Sequence, residues 1–111
     1  MKRTFVETTV FNKRWRDLNL SDDDLQNLQS YIIKNPNAGD IIVGTGGLTK
    51  LRWALPNRGK RGGVRILHVD FTRQKTVFLI NCYGKNQKDN ISDSEKAMYK
   101  TLIEAIRREL K

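Results

Sequence analysis

Three strand-like stretches follow one another in the middle of the chain, and they constrain the fold more than any other feature. Residues 49–55 alternate in polarity, which directs Lys50 and Arg52 to one face and the apolar residues to the other. Residues 64–71 form a second strand. Residues 76–83 are apolar on both faces, which is typical of a central strand covered on both sides. Three consecutive strands with short links predict an antiparallel meander.

Shorter patterns surround this meander. Residues 2–7 predict a first strand, and the spacing of Phe11, Trp15 and Leu18 predicts a helix. Ser21 is the expected N-cap of a second helix, because three aspartates follow it at the positive end of the helix dipole.

The pattern Ser92-x-x-Glu95 is typical of a capping box that opens a final helix. We expect its packed side to carry the apolar residues Met98, Leu102, Ala105, Ile106 and Leu110. The predicted fold is α+β over a single domain, residues 1–111. Its order is β-α-α-β-β-β-α, an antiparallel sheet with two N-terminal helices and a C-terminal helix.

Residues 40–47 are expected to connect the second helix to the meander. Their glycine-rich part, Gly44-Thr45-Gly46-Gly47, lacks the lysine and the following helix of a phosphate-binding loop. It is better explained as a turn that needs positive φ angles.

The positive charge of the chain is concentrated in one half. The net charge is +9, and residues 41–88 hold ten Lys/Arg against one acid, Asp70. The rest of the chain holds eleven bases and eleven acids and is neutral. A cationic surface of this kind is expected for a protein that binds nucleic acid, whereas charge kept for solubility would not exclude acids from one half.

Composition limits the other classes of function. A single cysteine, Cys82, allows no intrachain disulfide and fits a reducing cytoplasm. The first residues show no signal-peptide core, and no apolar run approaches the roughly 20 residues of a membrane span, so we expect no membrane association. One histidine, one cysteine and scattered acids make a zinc or magnesium site unexpected, and no cofactor is predicted.

Phosphodiester chemistry on such a protein has to rely on cations and on the substrate. RNA carries its own nucleophile, the 2′-hydroxyl. The protein would remove its proton, neutralise the phosphorane and protonate the leaving 5′-oxygen. Arginine suits the second task, and a lysine among crowded cations suits the first. Phosphate binding without cleavage is an equally open interpretation of the same residues.

Three short runs resemble the HigB branch of the RelE/ParE toxin superfamily: Gly-Thr-Gly-Gly-Leu-x-Lys-x-Arg, Lys-Arg-Gly-Gly-x-Arg-Ile and Tyr-Gly-Lys-Asn. The resemblance covers nearly the whole chain and is densest over residues 39–86. It implies a RelE-like fold and a bacterial toxin held inactive by a cognate antitoxin, here a DNA-binding, HigA-like protein. It also implies metal-independent cleavage of mRNA in the ribosomal A site, leaving a 2′,3′-cyclic phosphate and a 5′-hydroxyl.

The resemblance also assigns roles to residues. Lys50 and Arg52 match the paired basic positions that serve as base and charge stabiliser, Arg65 matches the arginine that contacts the scissile phosphate, and Lys85 matches the lysine of the Gly-Lys turn. The remaining expected contacts to nucleic acid are Arg58, Lys60, Arg61, Arg73, Tyr83, Asn86 and Lys88.

Two positions depart from the family pattern. Asn86 replaces an arginine, and residues 90–92 lack the tyrosine that stacks on the substrate. Tyr83 or His68 is a candidate to compensate. Two alternative functions stay open: a ParE-like, non-enzymatic inhibitor of DNA gyrase, and an RNA-binding module that leaves RNA intact.

Overall fold

The architecture is a five-stranded sheet with helices on both faces, in a computed structural model that describes residues 2–54, 63–87 and 90–110. The strands are β1 (Thr4–Glu7), β2 (Asp40–Ile41), β3 (Thr49–Trp53), β4 (Val64–Phe71) and β5 (Thr76–Gly84). The helices are α1 (Thr9–Asp17), α2 (Asp22–Lys34) and α3 (Asp93–Glu109). The predicted α+β fold is confirmed, and the predicted elements follow one another in the expected order, but the prediction lacked the strand β2.

The sheet has the order β1-β5-β4-β3-β2, and its centre is the predicted antiparallel meander. Two features differ from the sequence prediction. β1 pairs with β5 in parallel, so the sheet is mixed and not antiparallel throughout, as predicted. The predicted connector at residues 40–47 contains β2, whose two residues pair antiparallel with β3. The glycines that follow β2 take the expected positive φ angles: 86° at Gly44, 78° at Gly46 and 121° at Gly47.

The helices begin where local chemistry predicts. Ser21 and Asp24 form a capping box at the start of α2, and Ser92 and Glu95 form another at the start of α3. Thr8 caps α1 and also donates its hydroxyl to the carbonyl of Ile80 at 2.7 Å. Since β1 ends at Glu7, this contact directs α1 along the part of β5 that β1 does not cover.

The sheet separates two cores. On one face, α1 and α2 pack against Leu51, Ile66 and Leu79, and the stacked rings of Trp15 and Trp53 lie 6.0 Å apart. On the other face, α3 packs through Tyr99 and Ile103. This second core covers only part of that face of the sheet. Near the start of β4, the face instead carries Lys50 and Arg52 from β3 and Arg65 from β4.

The predicted packing side of α3 is wrong in part. Met98 is 55% exposed and Leu102 is 37% exposed, whereas Tyr99 and Ile103 are buried. Ile106 and Leu110 do pack against the core, as expected. The buried stripe is therefore rotated by about one residue from the prediction, and the hydrogen bond from the Asn81 amide to the Tyr99 hydroxyl, at 3.1 Å, fixes that rotation.

A β-bulge in the centre of the sheet decides which side chains of β5 face α3. Leu67 pairs with Asn81, but His68 pairs with Leu79, so Ile80 is an extra residue. Ile80 and Asn81 both contact the α3 side as a result. The alternation that resumes after the bulge places Tyr83 on the face of its partner, Arg65.

Candidate functional site

Three of the predicted catalytic side chains lie together on the α3 face of the sheet, and we call Lys50, Arg52 and Arg65 the cationic patch. Arg52 and Arg65 are direct cross-strand partners. Lys50 is two residues from Arg52 on the same strand and therefore shares its face. Cross-strand partners have Cα atoms roughly 4.5–5.5 Å apart, so the three side chains start from adjacent points on a rigid surface.

The cationic patch is accessible. Arg52 is exposed, and Lys50 and Arg65 are half-buried. A Cβ at position 63 would lie 3.7 Å from a terminal nitrogen of Arg65, so the guanidinium lies beside the backbone of Gly63. Asp40, an exposed residue at the sheet edge, is the cross-strand partner of Lys50 and is the acid nearest to the patch in register.

Lys85 and Asn86 lie in the turn after β5, at the same end of the sheet. Val64 pairs with Gly84, and the Lys85 amide donates to the Gly63 carbonyl at 3.4 Å. Lys85 is therefore tied by its backbone to the segment that carries Arg65. Both turn side chains are exposed.

The other predicted nucleic-acid contacts divide into three groups. Tyr83 lies in the Arg52–Arg65 row and is 5% exposed. Arg73 lies in the turn after β4, six residues of strand beyond Arg65, so the sheet separates it from the cationic patch by about 20 Å. The predictions for Arg58, Lys60, Arg61 and Lys88 fall outside the described residues.

The single acid of the cationic segment has a structural role on the opposite face. Arg3 donates from Nε to Oδ1 of Asp70 at 3.1 Å, and both side chains are largely buried. The carboxylate is therefore engaged away from the cationic patch. This arrangement preserves the excess positive potential on the α3 face.

His68 shares the face of Asp70 and is excluded as a partner of the cationic patch. Its ring is 4% exposed, and neither ring nitrogen has a hydrogen-bond partner within the described part of the chain. Desolvation lowers the pKa of His68 to about 4, against a smaller opposing effect of the Asp70 charge. The imidazole is thus neutral at pH 7 and faces the wrong side of the sheet.

Cys82 is likewise a core residue. It is fully buried, and its thiol lies 3.8 Å from the carbonyl oxygen of Phe11. Burial raises the pKa of Cys82 to about 12, although the charge of Arg14 acts in the opposite direction. A thiol in this state is a poor nucleophile.

A cleft of about 200 Å³ opens beside the cationic patch, between β5 and the start of α3. Leu67 and Tyr83 are the cross-strand partners of Lys50 and Arg65, and Asn81 pairs with Leu67. The other lining residues are Arg14, Cys82, Gln87, Ile91, Glu95 and Tyr99. Sequence reasoning missed the polar members of this cleft. The available signal was Asn81, a polar residue inside an otherwise apolar strand.

Two further properties concern the described ranges. Across residues 2–54, 63–87 and 90–110, no three His, Cys, Asp or Glu side chains lie close enough to hold a metal ion. Within those same ranges, no helix has the length and apolar character needed to cross a membrane.

Comparison with known proteins identifies the family. A family model described as the RelE toxin of the RelE / RelB toxin-antitoxin system matches residues 2–109. This chain belongs to the RelE toxin family. A solved structure of E. coli toxin RelE in the free state, in a mutant with two arginines replaced by alanine, has 18% sequence identity and a TM-score of 0.55. The match covers 97% of this chain and 98% of that one, which establishes a RelE fold.

RelE family membership implies a toxin with an antitoxin partner. The cationic patch is therefore a candidate for the site through which this toxin acts.

Proposed function

We propose that this protein is a HigB-like member of the RelE family that cleaves mRNA in the ribosomal A site without a metal ion. The observation that carries the proposal is the cationic patch, in which Lys50, Arg52 and Arg65 share one exposed face of a rigid sheet. Cross-strand arginines match the geometry of phosphate oxygens and stabilise charge that develops in a transition state.

The proposed reaction uses the 2′-hydroxyl of the RNA as nucleophile. Lys50 takes its proton, and the 2′-oxygen forms a bond to phosphorus as the bond to the 5′-oxygen breaks. Arg52 and Arg65 neutralise the pentavalent phosphorane. The 5′-oxygen leaves with a proton, so the products are a 2′,3′-cyclic phosphate and a 5′-hydroxyl.

Lys85 is the best-placed donor of that last proton. Its backbone contact with Gly63 holds it at the sheet end where Arg65 lies, and its ammonium carries transferable protons. Tyr83 shares the row of Arg65 and lies nearer the floor of the site. We assign the tyrosine to positioning the substrate, together with Asn86 in the exposed turn.

The ribosome and mRNA are the proposed targets, which places the toxin in the cytoplasm. A protein of net charge +9 gains affinity for RNA by releasing counterions, so its binding should weaken steeply with salt. For the antitoxin we propose a DNA-binding, HigA-like protein that brings acidic residues to the cationic face. A native-gel titration that shows no preference for an acidic co-expressed partner would count against this assignment.

Inducible expression in a bacterium, with and without Arg65→Ala, tests the proposal. We expect rapid loss of translation with cuts in translated mRNA, and we expect the substitution to abolish both. SOS induction with intact mRNA would instead indicate a gyrase inhibitor. Unimpaired growth with RNA bound but uncut would indicate a non-catalytic RNA-binding module.

A further inference from the structure

The turn that carries Lys85 and Asn86 is closed by the residue that follows it, Gln87. The backbone amide of Gln87 donates to the Gly84 carbonyl at 3.0 Å, so residues 84–87 form a β-turn with the lysine and the asparagine at its centre. The side chain of Gln87 returns to the same glycine, where its Oε1 accepts from the Gly84 amide at 2.6 Å. One residue therefore holds both backbone polar groups of Gly84.

The Gly84 amide lies where the described part of the sheet supplies no neighbouring strand. Gly84 is the cross-strand partner of Val64. The next pair along the ladder is hydrogen-bonded, since the Lys85 amide donates to the Gly63 carbonyl. By the alternation of an antiparallel ladder, the Gly84 amide then points away from β4, to the side on which β1 has already ended. Gln87 supplies the acceptor that a longer neighbouring strand would otherwise provide.

This closure determines where the side chain of Lys85 begins. The contact with Gly63 fixes the turn from the side of β4, and Gln87 fixes it from the opposite side. A Cβ at position 84 would lie 3.5 Å from Oε1 of Gln87 and 3.6 Å from Cδ2 of Leu18, so the glutamine lies next to the end of α1. A general acid has to lie within hydrogen-bond reach of the leaving atom, and a misplacement of about 1 Å can lower the rate by about 10²-fold.

We propose that Gln87 is a positioning residue for proton transfer to the leaving 5′-oxygen, because it fixes the turn from which Lys85 reaches that atom. Gln87 itself transfers no proton, since its carboxamide acts here as a hydrogen-bond acceptor. Its effect belongs to the step that breaks the bond from phosphorus to the 5′-oxygen and not to substrate binding. The inference rests on the proposed function, in which Lys85 is the proton donor.

Three variants test the closure of the turn without any substrate. Gln87→Met keeps the length of the side chain and removes the acceptor, whereas Gln87→Glu keeps an acceptor at the same reach. Gln74→Met makes the same exchange at an exposed position in the turn after β4 and is the matched control. Hydrogen exchange of the Gly84 amide, followed by NMR, should be roughly 3–10-fold faster in Gln87→Met and nearly unchanged in the other two variants.

A sulfur-substituted substrate tests the role in proton transfer. One mRNA is natural, and its partner carries sulfur in place of the leaving 5′-oxygen at the cleaved bond. In both, the 2′-oxygen bonds to phosphorus as the bond to the leaving atom breaks. The oxygen needs a proton as it leaves, whereas the sulfur leaves as a thiolate, because a thiol is a far stronger acid than an alcohol.

Single-turnover cleavage on programmed ribosomes at saturating toxin gives the comparison. Gln87→Met should cleave the natural mRNA roughly 10–100-fold more slowly than the unmodified protein and the sulfur-substituted mRNA at most about threefold more slowly. The toxin concentration at half-saturation should not change. Lys85→Ala should show the same dependence on the leaving atom. Gln87→Glu and Gln74→Met should cleave both substrates at nearly the unmodified rate.

Four results would overturn the proposal: equal slowing of Gln87→Met on both substrates, full activity of that variant on natural mRNA, equal slowing of Gln87→Met and Gln87→Glu, or unchanged exchange of the Gly84 amide. Each of these would leave cleavage by the unmodified protein, and with it the proposed function, intact. If the unmodified protein cleaves neither mRNA, the proposed function fails and this inference fails with it.

Discussion

Replacing Arg65 gives the sharpest quantitative test of the cationic patch. A guanidinium on the phosphorane can make two parallel charge-assisted hydrogen bonds. Each such bond contributes about 1.5–3 kcal/mol, and removing one donor to a developing oxyanion typically costs about 10²–10³ in rate. For Arg65→Ala we therefore expect a loss of about 3–5 kcal/mol, which corresponds to a cleavage rate lower by roughly 10²–10⁴-fold.

Two further variants separate geometry from charge. Arg65→Lys keeps the charge but loses the planar fork, so it should retain part of the stabilisation and lower the rate by roughly 10–100-fold. Arg73→Ala removes the same charge from the far end of β4 and should leave the rate near that of the unmodified protein. The two alanine variants have equal net charge, which makes Arg73→Ala a matched control.

The assay is single-turnover cleavage of mRNA on programmed ribosomes at saturating toxin, with circular dichroism to confirm the fold of each variant. Saturation separates the chemical step from binding. If Arg65→Ala and Arg73→Ala slow cleavage equally, the long-range charge explains the activity and the local geometry of the cationic patch does not. Equal slowing would therefore rule out the direct contact between Arg65 and the scissile phosphate.

Three other predictions concern the scaffold. The pKa of His68 is about 4 in the fold and about 6.5 in the unfolded chain, so the folded protein binds fewer protons between these two pH values. The contribution of His68 to the free energy of unfolding is therefore fully present above pH 6.5, and the free energy of unfolding falls by roughly 3 kcal/mol as the pH is lowered towards 4. Denaturant melts should show that His68→Leu removes this part of the acid destabilisation; an unchanged pH dependence would contradict it. Gly39→Ala should destabilise the fold by roughly 1–3 kcal/mol, since φ is 93° and the new Cβ would lie 2.8 Å from the Lys50 carbonyl oxygen. Gly44→Ala, with φ of 86° but open space, should lower the melting temperature less, and equal losses would exclude the steric contact as the cause. Cys82 should resist iodoacetamide in the native protein and react fully in denaturant, because burial raises its pKa to about 12; rapid native labelling would contradict its burial.

The site could be predicted from the sequence where its geometry depends on local rules. Alternation along residues 49–53 was sufficient to place Lys50 and Arg52 on one face, since successive strand side chains point to opposite sides. The two capping patterns located the starts of α2 and α3 because their hydrogen bonds span only three residues.

Features that depend on distant contacts could not be predicted. On α3, the pair Met98 and Leu102 and the pair Tyr99 and Ile103 have the same i, i+4 spacing, so periodicity does not decide which pair is buried. The choice depends on contacts with the sheet, including the bond between Asn81 and Tyr99. The parallel pairing of β1 likewise joins segments about 72 residues apart, for which no local pattern exists.

The bulge at Leu67 and His68 had the greatest effect on the site. A regular β5 would place Tyr83 on the face of α1 and α2 and would remove it from the row of Arg65. Nothing in the run of residues 76–83 distinguishes the regular register from the bulged one. Asn81 could indicate a polar position in this strand, but the cleft itself depends on the register and required the structure.

The most direct test of the mechanism removes one oxygen atom from the substrate. Ribosomes are programmed with an mRNA whose A-site codon is cleaved, and with a matched mRNA that carries a 2′-deoxynucleotide immediately 5′ to the cleaved bond. If two arginines and a lysine promote attack by the neighbouring hydroxyl, the first mRNA yields a 2′,3′-cyclic phosphate and the second remains intact. Cleavage of the deoxy-substituted mRNA at a comparable rate would show that another nucleophile acts and would contradict this mechanism.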